Sequence, residues 1–289
     1  MPGRDAVGLL GGVLADALVA DPRTAHPVAA FGRAAAALER RTYADSRTRG
    51  LLHVTLLVGA AGGLGALLTG LSRRRPALRT GALAAGTWAV IGGTTLGREA
   101  SAMAAALGAG DLAAARARLP HLCGRDPSAL DGTELARATV ESVAENTSDA
   151  VVAPLLWGAV AGLPGLLGYR AVNTLDAMIG HRSPRYARFG WAAARLDDLL
   201  NLPAARLTAL LACLLAPVAG GSVPAAWQVL RRDGAAHPSP NAGRCEAAFA
   251  GALGVRLGGT NRYGARVEHR PHLGDGRPVE VGDVGRAVR

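Results

Sequence analysis

The chain alternates between long uncharged stretches and shorter charged ones. Residues 50–72, 80–97, 150–169 and 207–230 contain no Arg, Asp or Glu. A helix needs about 20 apolar residues to cross a hydrocarbon core of roughly 30 Å. The 50–72 stretch meets that length, with His53 as its one titratable group. The 80–97 stretch is shorter and ends at Arg98. Pro154 and Pro164 interrupt 150–169, and Pro217 with Gly220-Gly221-Ser222 interrupts 207–230. Proline is tolerated in spanning helices where neighbours re-satisfy the freed backbone groups. Four such runs in one chain predict an all-α, polytopic integral membrane protein. It would be a single domain over 1–289, with polar helical loops and an irregular C-terminal tail. Ala-rich helices buried in a soluble bundle are the alternative.

The charged segments read as connections. Arg73, Arg74, Arg75 and Arg79 lie between the first two runs, as a cytoplasmic loop requires. Arg40, Arg41, Arg47 and Arg49 make the other flank basic too, which leaves the orientation open. The 98–119 segment is helical in pattern, with Gly108-Ala109-Gly110-Asp111 as a break and cap. In 131–149, Glu134, Arg137, Glu141 and Glu145 recur at three- and four-residue spacing, on one helix face. From Arg231 onward, Gly, Pro and Arg dominate with little periodicity.

Composition narrows the function. Hydrophobic residues make up 49% and charged residues 19%, which excludes a disordered chain. All 32 Lys+Arg positions are Arg, so neither a Schiff-base lysine nor a P-loop lysine is available. The net charge of +10 is spread between apolar runs and not gathered with aromatics, which argues against nucleic acid and for a membrane surface or an anionic substrate. Cys123, Cys213 and Cys245 are too few and too far apart for a disulfide framework or a zinc site. Asp16 interrupts the N-terminal apolar region and argues against a cleaved signal.

Four constellations can carry chemistry. Glu141, Glu145 and Asp149 are spaced four apart and would stack on one face if the helix continues, where one or two carboxylates suffice for Mg²⁺. Capping by Thr147, Ser148 or Asp149, and a Glu141–Arg137 pair, would explain the same residues structurally. Tyr169-Arg170-Ala171-Val172-Asn173-Thr174-Leu175-Asp176 is the second. The third holds Arg195, Asp197, Asp198 and Asn201; adjacent aspartates before an apolar run must be solvated, paired or metal-bound. Arg195 is three residues from Asp198, within pairing reach on a helix. In the tail, Gly258-Gly259-Thr260-Asn261-Arg262-Tyr263-Gly264 lets backbone amides approach an anion. Arg262, Arg266 and Arg270 follow every four residues, and His269 is a candidate base. Asp197-Asp198-Leu199-Leu200-Asn201 partly matches a prenyltransferase motif but has no second Asp-rich partner. Asp131-Gly132 with Ala136-Arg137 misses the phosphatidyltransferase signature by one residue of spacing.

Arg125-Asp126 with Leu130, the run Ala136 to Asp149, Ala153-Pro154-Leu155, Tyr169 to Asp176, Phe189-Gly190-Trp191-Ala192, Ala194 to Asp198, Pro203 to Leu207 and Asn261-Arg262-Tyr263-Gly264 occur in order. Arg266-Val267-Glu268, and Asp21-Pro22 with His26-Pro27-Val28, complete the set. This order resembles the cobalamin-biosynthesis CobD/CbiB family, the membrane-associated adenosylcobinamide-phosphate synthases, over nearly the whole chain. Ala265 stands where a second Gly is common, and His181 where an aromatic is common.

The resemblance implies a multi-pass protein of the inner (plasma) membrane and an acid–amine ligase. Its reaction would join aminopropanol, or aminopropanol phosphate, to the f propionate of adenosylcobyric acid, with ATP and Mg²⁺. A carboxylate is a poor electrophile, and phosphorylation supplies a leaving group before the amine attacks. Charge neutralisation and a base are then needed. The expected roles are Glu145, Asp149, Asp197 and Asp198 on Mg²⁺–nucleotide, and Arg125, Arg195 and Arg262 on phosphate or propionate. Glu141 or His269 would be the base. Asn146, Asn173 and Asn201 would meet the amides of the corrin ring. Asp176, Asn261, Tyr263 and Glu268 complete the site. Other cobalamin-pathway enzymes are expected partners. The competing readings are a membrane transferase with a phosphorylated lipid or prenyl donor, and a non-enzymatic corrinoid-binding or transport protein.

Overall fold

The computed structural model describes residues 2–21, 26–181, 183–263 and 266–289. Pro22 of the Asp21-Pro22 step, and Gly264 and Ala265 of the tail motif, lie outside them, as does the Arg266 side chain. The helices are α1 Pro2–Val19, α2 Pro27–Thr42, α3 Arg47–Leu71, α4 Pro76–Val90, α5 Gly93–Gly108, α6 Leu112–Arg118, α7 Gly132–Thr147, α8 Ala153–Leu175, α9 Trp191–Leu214, α10 Val223–Asp233 and α11 Ala242–Leu253. Strands β1 Leu257–Tyr263 and β2 Arg266–Leu273 precede α12 Val281–Val288. The chain divides into two compact units, each assembled from two stretches: 1–94 with 149–201, and 95–148 with 202–289.

In the first unit, α1 lies against α4, and α3 against α8. Leu9, Leu83, Val90, Leu163 and Leu166 form one core, and Val54, Leu57, Leu175, Ile179 and Phe189 another. Small residues set the helix spacing. A Cβ on Gly65 of α3 would sit 2.7 Å from the Pro164 backbone of α8. Close approach of this kind is what Gly and Ala provide where helices pack without bulky knobs. Leu52, Leu56, Leu64, Leu67 and Leu71 of α3, and Leu10, Leu14 and Leu18 of α1, remain exposed.

Arg47–Leu71 and the apolar part of Gly132–Gly180 are long and apolar enough to cross a membrane, each with mean hydropathy 1.9. The expected run 50–72 is thus a single helix. The run 150–169 is helical but bent: Gly162 takes φ 62°, and Pro164 withholds an amide. The run 80–97 is not continuous, because α4 ends at Val90 and extended Ile91 separates it from α5. The run 207–230 is cut by a short 3₁₀ turn, Ala216–Ala219, and by Gly220 at φ 77°. In 150–169 and 207–230 the breaks fall on a Gly or Pro inside the apolar run, whereas in 80–97 the break is at Ile91.

The second unit buries Met103, Leu119, Leu135, Leu257 and Leu273 with a lining of alanines. Its helix starts are capped by side chains. Asp111 Oδ1 accepts the Ala114 amide at 2.9 Å, so the break and cap expected at 108–111 is present. Asp131 and Glu134 form a reciprocal capping box on α7, with bonds of 2.8 and 3.0 Å. The tail departs from the irregular segment expected. Residues 231–289 contain α11, an antiparallel β-hairpin and α12, so the protein is mostly helical but not all-α. Weak periodicity had concealed them because α11 is Ala- and Gly-rich and buried on every side.

Packing at Gly65 generates a test. Gly65→Ala should lower stability by about 1–3 kcal/mol through overpacking against Pro164. Gly63→Ala, whose Cβ meets nothing within 4 Å, should not lower it. Thermal unfolding of the two variants in the same detergent checks the contrast.

Candidate active site

In the second unit, α7, α11, the hairpin and the segment before α7 bring ionisable side chains into one buried cluster. Glu141 is its hub and is 1% exposed. Its Oε1 accepts the Gly258 amide at 2.7 Å and faces Arg137 Nη1 at 3.2 Å. Its Oε2 contacts Arg125 Nη2. Arg137 also donates to the Gly258 carbonyl, to Thr260 O at 3.0 Å and to Asn261 Oδ1 at 3.2 Å. The four-residue step Arg137–Glu141 therefore lies along one face of α7 and clamps β1 to it.

Gly258 takes φ 85° and Gly259 φ 94°, and the ladder shifts register between Leu257 and Gly259. A side chain at Gly258 would run into the Pro271 carbonyl. Only glycine holds this conformation at low cost, and it turns the amide toward Glu141.

Glu246 of α11 completes the cluster. It is 1% exposed, and neither carboxylate oxygen has a hydrogen-bond partner. His237 Nε2 and Arg270 Nη1 each lie 4.0 Å from Oε1, too far for a hydrogen bond. Burial pushes the Glu246 carboxyl well above the usual range, and Glu141 and Glu145 push it the same way. His237 is held down to about 4, first by burial and then by Arg270. Its Nδ1 accepts the Ser239 amide at 3.0 Å, so the neutral ring carries its proton on Nε2, on the Glu246 side. Burial works against the Arg125 charge, but Glu141, Cys123 and Tyr263 together more than offset it and hold the guanidinium protonated above its ordinary range. Arg125 Nε and Nη1, Asn261 Nδ2 and Arg270 Nε are further buried atoms without partners. So many orphaned donors and acceptors in one cluster are costly in a closed core and are what a polar ligand would satisfy.

The remaining expected residues of this unit surround the cluster. Glu145 is exposed on α7 and acts electrostatically with Arg125 and Arg270. Tyr263 Oη accepts Arg270 Nη2 at 2.9 Å, and Glu268 lies 3.5 Å from the same nitrogen. Asn146 donates to Ser142 O at 2.9 Å. His269 is exposed on β2, with Nδ1 3.1 Å from Thr260 Oγ1. Arg262 is also exposed; its carbonyl accepts the Asp126 amide at 2.9 Å. The spacing of the three tail arginines therefore does not place them together, since Arg270 faces the cluster and Arg262 does not.

A second network lies within the first unit. Tyr169 Oη bonds Asn201 Oδ1 at 2.7 Å and the Asp149 carbonyl at 3.1 Å. Asn201 and Asn173 donate to the two oxygens of Asp197, at 2.9 and 3.3 Å. Arg170 reaches Asn173 at 3.3 Å. Arg195 and Asp198 form the expected pair, at 3.7 Å. Asp176 packs against Gly180 in a π-helical turn, Asp176–Gly180. Another π-helical turn, Ser148–Val152, holds Asp149, so the four-residue stacking argument extends from Glu141 to Glu145 and stops there.

Of the carboxylates expected on Mg²⁺–nucleotide, Glu145 belongs to one unit and Asp149, Asp197 and Asp198 to the other. Among the described residues, no three His, Cys, Asp or Glu side chains converge as metal ligands. A cleft of about 320 Å³ between Thr69, Ser72, Val160 and Pro164 holds none of the expected site residues; its charges are the Asp5–Arg79 pair.

Glu246 and His237 were not among the expected residues. Glu246 had a signal: it is the lone carboxylate in the Ala-rich segment 242–253, and a charge there must be paired or used. His237, in a Gly/Pro-rich connection, had none.

Two outcomes test this geometry. Glu141→Gln leaves Arg125 buried without its partner and should cost about 3–5 kcal/mol in denaturant unfolding. His237 has a folded pKa near 4 against an ordinary 6.5, so the unfolded state binds more protons between those values. Its contribution is fully present above about pH 6.5 and is lost as pH falls toward 4. The stability difference between wild type and His237→Gln should therefore grow from pH 4 to 6.5 and level off above.

The chain was compared with known proteins. The family model described as CobD/Cbib protein matches residues 9–289. A cobalamin biosynthesis protein CobD from Mycobacterium tuberculosis is 58% identical over 283 residues, covering 98% of this chain and 90% of the relative. Proteins of the same name from Geobacter metallireducens and Rhodobacter capsulatus are 46% and 44% identical, covering 92% and 90% of this chain and 86% and 83% of theirs. No solved structure matches. With a match this long and identities this high, the chain belongs to the CobD/Cbib protein family.

Proposed function

We propose that this protein acts in cobalamin biosynthesis as an adenosylcobinamide-phosphate synthase. It would form an amide between the f propionate of adenosylcobyric acid and aminopropanol or its phosphate. ATP would phosphorylate the propionate to an acyl phosphate and leave ADP. The amine would attack the acyl carbon, and phosphate would depart. Family membership supports the pathway. The observation that carries the chemistry is the cluster around Glu141 and Glu246, whose buried donors and acceptors lack partners.

Arg125 and Arg270 are the cations suited to the phosphoryl oxygens of such an intermediate, with Asn261 as a further donor. Mg²⁺ arriving with a nucleotide keeps several waters and needs only one or two protein carboxylates. The ion would neutralise phosphate charge. Exposed leucines on α1 and α3, beside helices of spanning length, support insertion in a bilayer.

Membranes containing the protein, supplied with adenosylcobyric acid, amine, ATP and Mg²⁺, should yield an amide adduct by mass spectrometry. The adduct should be absent without ATP. Corrinoid binding with no adduct from either amine would overturn the synthase reading in favour of a binding or transport protein. Carbonate washing should leave the protein in the membrane fraction.

A further inference from the structure

We infer that Glu246 meets the primary ammonium of the acceptor amine and takes its proton, with His237 as its positioning partner. The inference rests on the synthase reading above and assigns a role in it to residues the sequence motifs do not contain.

The two bases expected from sequence are badly placed for the task. Glu141 is occupied at both oxygens, by the Gly258 amide and Arg137 on one and Arg125 on the other. It serves as a brace. His269 sits on the exposed face of β2 beside the Thr260 hydroxyl. Glu246 differs from both, being buried with two oxygens that no donor reaches. An ammonium brings three N–H donors and one positive charge, which is what those two oxygens lack. His237 directs Nε2–H toward Oε1 from 4.0 Å, close enough to tighten onto the carboxyl when a ligand draws the groups together.

Charged and titratable groups face Glu246 from several elements. Glu141 and Glu145 face Glu246 from α7, Arg125 from the segment before it, and Arg270 from β2. His237 stands in the connection that precedes α11. Burial and the two glutamates raise the proton affinity of Glu246, and the two arginines lower it. A carboxylate of raised pKa is a stronger base than an ordinary one and is better matched to an ammonium. The step balances: R–NH₃⁺ and the Glu246 carboxylate give R–NH₂ and the Glu246 carboxylic acid. The freed lone pair forms the C–N bond as the acyl–phosphate C–O bond breaks. The second nitrogen proton leaves with the phosphate, and Glu246 returns its own to solvent.

The test compares two nucleophiles on full-length protein in membranes. Aminopropanol is an ammonium at neutral pH and needs a base; hydroxylamine is mainly uncharged and does not. Glu246→Gln should lose about 10²–10⁴-fold in amide formation with aminopropanol and far less with hydroxylamine, because general-base assistance has that size. Its rising pH limb with aminopropanol should move to higher pH, and Glu246→Asp should recover part of the rate. Circular dichroism and a thermal melt establish that each variant is folded; if Glu246→Gln is not, Glu246→Asp carries the comparison. Equal losses with both nucleophiles, or full aminopropanol turnover by Glu246→Gln, would overturn the role while leaving the synthase reading intact. Failure of the wild type to acylate either nucleophile would instead remove the synthase reading, and this role with it.

Discussion

Glu141 is held by Arg125 before α7, by Arg137 one turn back on α7, and by the amide of Gly258, 117 residues away at the start of the hairpin. A carboxylate buried this deeply is tolerated only when its lone pairs are met and its charge is countered. Meeting that demand fixes much else in the unit. It sets where β1 approaches α7 and requires glycine at 258. It also consumes Arg137 on backbone carbonyls, whereas Arg125 and Arg270 keep buried nitrogens without partners.

That arrangement explains why the cluster contains both committed and uncommitted polar groups. Glu141 is ion-paired to Arg125 and Arg137 and accepts the Gly258 amide, while Glu246, His237 and parts of Arg125, Arg270 and Asn261 hold atoms without hydrogen-bond partners. A rigid brace beside unsatisfied groups is the pattern of a preorganised site, since the brace holds the open groups where a ligand can meet them. The first unit applies the same economy differently. Its helices approach through glycines, and its polar network runs from Tyr169 through Asn201 to Asp197. Its leucines are left on the outside of α1 and α3, where a hydrocarbon solvent would accept them.

Legibility followed the range of the interaction. The helix over 50–72, the cap at Asp111, the Arg137–Glu141 step and the Arg195–Asp198 pair could all be read, because each depends on residues within a turn or two of one another. The carboxylates sharing a spacing of four could be followed only from Glu141 to Glu145. A π-helical turn then changes the angular step, and nothing in residue spacing announces it. The tail looked irregular because α11 is buried all round and the hairpin is glycine-rich, so neither shows the alternation that marks an amphipathic element.

By itself, then, the sequence determined the mostly helical class, the apolar runs, the local caps and pairs, and the motif order that identifies the family. These are properties of neighbouring residues or of their linear succession. The tertiary structure alone decided that Glu246 and His237 stand with Arg270 around the Glu141 brace, and that Asp149 and Asp197 share a network with Tyr169 and Asn201. It also decided which polar atoms remain unpartnered. Burial and partner supply depend on contacts between segments distant in the chain, and no local pattern encodes them.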